Sequence, residues 1–200
     1  PKKKKKAKIN QRIESALLHC VYCANPTLCQ SVCRSIGIDP NSFESYFYRG
    51  WLKGKLEDYY GAISDYTKAI EINPRYANAY NNRGIAKRKL EDYSGAISDY
   101  TKVLEINPKD TNAYYNRGIA KGKLGDYSGA ISDYNKAIEI NPKDADSYMN
   151  RGIAKRNSGD NYGEISDYNK ALEINPKYEI AYYNRGIAKD DLGDYSGAIS

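Results

Sequence analysis

The sequence predicts an all-α solenoid of stacked antiparallel helix pairs, and three observations lead to this prediction. A motif of 34 residues repeats without gaps from Phe43 onward. Each copy contains two stretches with apolar residues at helical spacing, the second of which runs from about Ser128 to Ile140 in the central copy. A turn separates the stretches, and Asn-Pro ends the second stretch in each complete copy, because the residue before proline avoids the helical region. A fixed period of this length is typical of solenoids, in which neighbouring units bury each other's apolar faces.

The same period predicts how the chain is organised. Complete copies and a last, truncated copy occupy 43–76, 77–110, 111–144, 145–178 and 179–200. Residues 9–42 are predicted to be a degenerate, cysteine-containing leading helical repeat, since GIDP ends one period before the EINP of the next unit. Residues 1–8, PKKKKKAK, are predicted to be a disordered basic tail because they have too few apolar side chains to bury.

The net charge of +6 comes entirely from the lysines of this tail, and the rest of the chain is balanced. Binding of nucleic acid through the folded body is not expected, because it requires a basic face on the domain. Contact with a membrane is not expected either, since no apolar run approaches the roughly 18 residues of a membrane helix. The tail resembles a nuclear import signal, but a solvated basic tail is the simpler interpretation. We expect a cytoplasmic protein, with the nucleus as the alternative in a eukaryote.

The leading repeat contains a cluster of cysteines at the spacing C-x2-C-x5-C-x3-C, formed by Cys20, Cys23, Cys29 and Cys33. Thiolates at short spacing could hold zinc or an iron-sulfur cluster. The central spacing is shorter than is usual for zinc knuckles, and the repeat frame places the two pairs on different helices. Buried structural cysteines are therefore the preferred interpretation. We expect no metal and no cofactor, and a metal-binding regulator is kept as an alternative.

No pattern in the sequence indicates catalysis. The only histidine, His19, lies in the degenerate leader, so a nucleophile elsewhere has no histidine base beside it. No glycine-rich phosphate-binding motif occurs, and the carboxylates stand at repeating positions rather than as one distinct pair. We therefore expect that the chain is not an enzyme. The alternative is a helper domain of a larger protein whose catalytic part lies beyond Ser200.

The positions within a repeat carry a family resemblance. We number each copy from column 1 at Phe43, Ala77, Thr111, Ala145 and Glu179. Column 4 is tyrosine, column 8 glycine, column 24 tyrosine wherever it is present, and column 32 proline, while column 20 is alanine except at Glu164. This pattern resembles the tetratricopeptide repeat family, strongly over 43–200 and weakly over 9–42. The resemblance implies a right-handed α-solenoid in which the column 24 ring fills the space beside the small residues at the helix crossing.

Two columns depart from the family pattern. Column 7 is arginine instead of leucine and column 11 is lysine instead of tyrosine, while aspartate recurs at column 23. We predict that each column 7 arginine pairs with the column 23 aspartate of the same repeat, as Arg117 with Asp133. Glu164 replaces an alanine near the crossing, and it should turn outward or meet Arg151, Lys155 or Arg156, because an unpaired buried charge is costly.

The resemblance also implies where a ligand binds. Columns 2, 5, 6, 9, 12 and 13 of the first helices would line the groove of the solenoid, and column 6 is asparagine in four of the five copies. This resembles the asparagine ladders that hold the backbone of an extended peptide, since an amide both donates and accepts. The alternative is that these asparagines bond to their own helix. The candidate binding residues are Asn82, Asn116, Asn150, Asn184, Tyr115, Tyr183, Ile85, Ile119, Ile153, Arg88 and Arg156.

The sequence thus favours a non-catalytic protein interaction scaffold that binds a peptide or protein segment. A carboxylate clamp for chaperone tails is not expected, because columns 2 and 5 contain no lysine. Lys55, Lys89 and Lys123 at column 13 form a basic groove edge that would favour an acidic ligand. The alternative is an array that associates with itself, so a homo-oligomer is also considered.

Overall fold

The computed structural model describes residue 39, residues 41–194 and residues 197–198. These residues form helices and turns, with no strand among them. The helices are α1 Phe43–Lys55, α2 Tyr59–Ile72, α3 Ala77–Lys89, α4 Tyr93–Ile106, α5 Thr111–Lys123, α6 Tyr127–Ile140, α7 Ala145–Asn157, α8 Asn161–Ile174 and α9 Glu179–Asp191. They belong to two compact units, the first ending at Lys102 and the second beginning at Val103. The basic tail, most of the predicted leading repeat and the four cysteines lie outside the described residues.

Within each unit, the helices pack in the order in which they follow along the chain. In the first unit α1 packs on α2 and α2 on α3, and α1 also contacts α3. In the second unit α5 packs on α6, α6 on α7, α7 on α8 and α8 on α9. The fold is therefore all-α and consists of stacked helix pairs, as the sequence predicts. None of the described helices has the length and apolar character needed to cross a bilayer.

An aspartate at a fixed column caps the start of the second helix in each of the first four repeats. The carboxylate of Asp126 caps α6 by accepting a hydrogen bond of 2.9 Å from the backbone N–H of Gly129. Before this cap, Gly125 takes the left-handed conformation with φ of 81°. In the first two repeats the same position is Glu57 or Glu91, with φ of 63° and 62°. The turn thus has the same geometry in these repeats, although a side chain there is strained and glycine is not.

The close approach of paired helices depends on the column 8 glycines. A Cβ atom added to Gly118 would lie 2.8 Å from Cε1 of Tyr134, closer than real carbon contacts allow. Tyr134 is only 3% exposed, and the adjacent Ala130 is fully buried. The same geometry joins the pairs Gly50 with Tyr66, Gly84 with Tyr100 and Gly152 with Tyr168. The predicted packing of the tyrosine ring against the small residues is confirmed, and it explains why these helices contain glycine.

Each column 23 aspartate is buried between two cations. Asp133 accepts hydrogen bonds of 2.9 Å from Nε and 2.7 Å from Nη2 of Arg117. Lys121 Nζ lies 2.9 Å from the same carboxylate, which is a contact that the sequence did not predict. The guanidinium of Arg117 also lies over the ring of Tyr114, at 5.7 Å from its centroid. Equivalent contacts join Arg49 and Lys53 to Asp65, Arg83 and Lys87 to Asp99, and Arg151 and Lys155 to Asp167. The predicted arginine-aspartate pairs are therefore confirmed, and each pair joins the two helices of one repeat.

Candidate functional site

Each unit contains a recess between the first helices of two successive repeats. Recess 1, in the first unit, lies between α1, α2 and α3 and has a volume of about 250 Å³. It is lined by Trp51, Gly54, Lys55, Tyr59, Tyr66, Asn82, Ile85, Ala86 and Lys89. Recess 2, in the second unit, lies between α5, α6 and α7 and has a volume of about 320 Å³. It is lined by Ile119, Gly122, Lys123, Tyr127, Ala130, Tyr134, Asn150, Ile153, Ala154 and Asn157.

A glycine at column 12 contributes to the open space in both recesses. A Cβ atom on Gly122 would meet nothing closer than Cβ of Ala130, at 3.9 Å, so a side chain could be accommodated there. In the second and fourth repeats column 12 is arginine instead. Arg156 lies at this position in the fourth repeat and donates a hydrogen bond of 3.0 Å to Asp191 of the next repeat. The repeat fold therefore accepts glycine or arginine at column 12, and the residue that is present determines how much space remains beside the column 24 tyrosine.

Two of the predicted asparagines belong to the recesses. Asn82 lines recess 1, and its amide has no hydrogen-bond partner among the described residues. Asn150 lines recess 2, where its Nδ2 donates 2.9 Å to the backbone oxygen of Asp146 and 3.1 Å to the hydroxyl of Tyr115. The first of these bonds joins Asn150 to its own helix, which is the predicted alternative to peptide binding. It still leaves the side-chain oxygen of Asn150 without a partner in the described part of the chain.

The other candidate residues are distributed unevenly. Ile85 lies in recess 1, and Ile119 and Ile153 lie in recess 2. Tyr115 stands beside recess 2 and packs on Tyr134, with ring centroids 6.0 Å apart. The remaining candidates, which line neither recess, are Asn116, Asn184, Tyr183, Arg88 and Arg156.

Arg88 lies beside the buried phenol of Tyr100. Burial raises the pKa of Tyr100, while the guanidinium of Arg88 opposes that rise. The Nε atom of Arg88 is buried and has no hydrogen-bond partner in the described structure. Among the other candidates outside the recesses, Tyr183 is 70% exposed on α9.

Glu164 is the residue for which the sequence prediction needs correction. Its side chain does not turn outward, since the residue is 1% exposed, and its carboxylate accepts a hydrogen bond of 3.3 Å from the hydroxyl of Tyr168. Burial raises the pKa of Glu164, and the nearby charge of Arg156 partly opposes this rise. The predicted outward direction is therefore wrong. Arg156 is near enough to act on the carboxylate through its charge, as the second predicted outcome allows, but the direct hydrogen bond comes from the tyrosine of the same helix. The column that holds an alanine methyl group in recess 2 here holds a buried acid.

The mouths of the recesses carry positive charge. The exposed side chains of Lys55 and Lys89 line recess 1, and Lys55 Nζ lies 5.6 Å from the ring centroid of Trp51. Neither lysine forms an ion pair with a carboxylate among the described residues. Recess 2 carries one such lysine, Lys123, and an asparagine at the position of Lys89.

Sequence reasoning missed the residues that give the recesses their form. Gly54 and Gly122 are not among the candidate binding residues, although column 12, to which both belong, is predicted to line the groove. The alternation of glycine and arginine at column 12 was the available signal. The floor tyrosines, Tyr66 and Tyr134, were treated only as packing residues although they also line the open space. Burial raises the pKa of Tyr66 well above its usual value, so its phenol stays neutral.

Models of known protein families match this chain in each of its five repeats. Tetratricopeptide repeat models match residues 77–110, 111–144, 133–165 and 167–200, and a TPR repeat model matches residues 53–90. No curated protein sequence matches the chain.

Several solved structures share the fold. The crystal structure of MamA is 26% identical, with a TM-score of 0.72 over 75% of this chain and 88% of MamA. YrrB, a TPR protein with an unusual peptide-binding site, is 22% identical, with a TM-score of 0.69 over 83% of this chain and 86% of YrrB. The first TPR of Spaghetti (RPAP3), bound to the HSP90 peptide SRMEEVD, is 26% identical, with a TM-score of 0.57 over 58% and 93%. The tetratricopeptide repeat models, which match the chain between residues 53 and 200, show together with the repeated glycine-tyrosine packing that the chain belongs to the tetratricopeptide repeat family.

Proposed function

We propose that the chain is a non-catalytic interaction module that binds an extended peptide segment of a protein partner. Apolar side chains of the peptide would enter recess 1 and recess 2, and the asparagines would hold the peptide backbone. The observation that carries this proposal is that each unit has an open recess with isoleucine and tyrosine walls, beside an asparagine whose side-chain oxygen has no partner among the described residues. Such a combination suits a ligand with alternating side chains and peptide groups.

The dimensions of the recesses support a peptide side chain as the ligand. Small-molecule and cofactor sites usually occupy about 300–1,000 Å³ and bury most of their ligand. Recess 1, at about 250 Å³, is below that range, and recess 2, at about 320 Å³, is at its lower limit. Isoleucine and tyrosine walls provide apolar contact for one side chain at each site. The peptide complex of the Spaghetti (RPAP3) repeat supports the same class of ligand for this chain.

The asparagines supply a contact that does not depend on peptide sequence. An amide side chain can donate to a peptide carbonyl and accept from a peptide N–H. Asn82 has both capacities unused, and Asn150 retains its acceptor. Each neutral hydrogen bond adds about 0.5–1.5 kcal/mol, so the three bonds that the two asparagines can form should contribute at least about tenfold in affinity. We propose that Asn116 and Asn184 make equivalent contacts in their own repeats.

The experiment that tests this function fills the recesses with a side chain that the repeat already accepts. Gly54→Arg and Gly122→Arg introduce the residue that column 12 carries in two other repeats, so the fold should be retained. Peptides would be selected from a displayed random library on the full chain and measured by fluorescence anisotropy. We expect the double variant to bind them at least about tenfold more weakly, because apolar contact in both cavities is lost.

Ser132→Arg is the matched control, since Ser132 is exposed on α6 and lines neither recess. This variant adds the same side chain and should keep wild-type affinity. Circular dichroism would establish that all three proteins are folded. Peptides that bind the double variant and the parent equally well would refute the proposed site. If no peptide is selected and light scattering instead reports a defined oligomer, the module would be assigned to self-association.

A further inference from the structure

We infer that recess 1 selects a peptide segment in which an apolar side chain has an acidic side chain next to it. The apolar group would enter the cavity, and the carboxylate would lie at its mouth between Lys55 and Lys89. This inference rests on the proposed function and names the ligand chemistry for one of its two sites. It concerns an acidic side chain within a segment rather than the carboxylate at the end of a chain.

The apolar part of the inference comes from the walls of the recess. Trp51, Tyr59, Tyr66 and Ile85 surround the cavity, and Gly54 leaves its interior open. Aromatic walls favour a branched aliphatic or aromatic ligand group, because such rings bury large areas at little entropic cost. Recess 2 has isoleucine, Ile119, at the column that holds Trp51 in recess 1.

The preference for an acidic side chain is inferred from which lysines of α1 and α3 already have a carboxylate partner. The Nζ atoms of Lys53 and Lys87 each form an ion pair of 2.9 Å with the carboxylate of a buried aspartate. Lys55 and Lys89 have no such partner among the described residues, although both border an apolar cavity. Two lysines at one mouth, neither of which has a carboxylate partner among the described residues, are complementary to a carboxylate on the ligand. Exposed ion pairs are weak, so the two lysines together should provide about threefold to tenfold in affinity.

The chain also provides an internal comparison. In recess 2 the position of Lys89 is taken by Asn157, which leaves Lys123 as the single lysine of the lining. Recess 2 should therefore discriminate less between acidic and neutral segments. This difference separates a property of recess 1 from a general attraction of anions to a protein with a basic tail.

The sole tryptophan of the chain, Trp51, makes the test specific for recess 1. Its fluorescence would be followed while short acetylated and amidated peptides with a central Leu-Glu, Leu-Gln or Leu-Lys pair are added to the full chain. We expect the Leu-Glu peptide to bind about threefold to tenfold more tightly than the Leu-Gln peptide, and the Leu-Lys peptide to bind most weakly. The preference should decrease in high salt, because the lysines are exposed.

Variants then identify the source of the preference. Lys55→Gln with Lys89→Gln should bind the Leu-Glu and Leu-Gln peptides equally, while Lys123→Gln should keep the preference. Gly54→Arg should abolish the response to every peptide. Loss of the uncharged Leu-Gln peptide tests the proposed function, because the added charge neither attracts nor repels that side chain.

Equal binding of Leu-Glu and Leu-Gln peptides to the parent would overturn the inference, and loss of binding in Gly54→Arg would then leave the proposed function standing. A preference that survives removal of both lysines would also overturn the inference, as would the absence of any change in Trp51 fluorescence. A Leu-Gln peptide with a free carboxyl terminus tests whether a terminal carboxylate can replace the acidic side chain. If it matches the amidated Leu-Glu peptide, a terminal carboxylate is sufficient and the inference of an internal acidic side chain is wrong.

Discussion

Two glycines on α5, one turn apart, should respond in opposite ways to the same substitution. Alanine stabilises a helix interior by about 0.5–1 kcal/mol relative to glycine, and this gain applies to both Gly118→Ala and Gly122→Ala. Their surroundings differ. The new methyl group at position 122 would lie 3.9 Å from its nearest neighbour, whereas at position 118 it would lie 2.8 Å from Cε1 of Tyr134.

The size of the penalty follows from the confinement of the tyrosine ring. Tyr134 is 3% exposed, and the ring of Tyr115 packs on it at a centroid distance of 6.0 Å, so the ring cannot retreat without disturbing a neighbour. Overpacking of this kind costs about 1–3 kcal/mol. We therefore expect Gly118→Ala to be about 1 kcal/mol less stable than the parent. Gly122→Ala should be about 0.5–1 kcal/mol more stable.

Urea unfolding followed by circular dichroism measures this difference. Because the chain contains two compact units, the comparison requires that the variants share the shape and slope of the parent transition. The parent is the common reference, and Gly122→Ala is the control for helix propensity. If Gly118→Ala is as stable as Gly122→Ala, the ring does not press on the glycine, and the packing argument for column 8 is incorrect.

Two further predictions concern the buried carboxylates. Asp133→Ala should lower the free energy of unfolding by about 2–3 kcal/mol, because it leaves Arg117 without its counterion, and a change below about 0.5 kcal/mol in urea unfolding would contradict this. Burial raises the pKa of Glu164 in the folded state, so this group lowers stability as the pH rises from the unfolded pKa through the folded one. Glu164→Gln should remove that decrease, which thermal unfolding across this pH range measures; parallel pH profiles of parent and variant would contradict it.

The features that the sequence predicted are those that recur in every repeat. Helix positions follow from the period, and the contact between Gly118 and Tyr134 follows from their columns. The pairing of Arg117 with Asp133 could be predicted because both residues recur and opposite charges attract at contact distance. A side chain that recurs has a repeated environment, so its partner recurs with it.

The features that the sequence did not predict depend on single positions. Glu164 lies in one repeat, and its direction depends on whether the hydroxyl of Tyr168 or a cation is nearer, which spacing does not determine. The recesses likewise depend on Gly54 and Gly122, whose column differs between repeats. The second cation at each aspartate was missed because lysine side chains are long and flexible, so their contacts depend on the detailed helix separation.

The interchange of glycine and arginine at column 12 has a consequence for how such arrays diversify. Codons for these two amino acids differ by a single base, and both residues occur within one chain that keeps the same helix pairing. A point mutation could thus fill or open a recess between two repeats without a compensating change in the packing of the helices. Gene duplication followed by such mutations would give each daughter repeat its own ligand preference while the architecture is inherited unchanged.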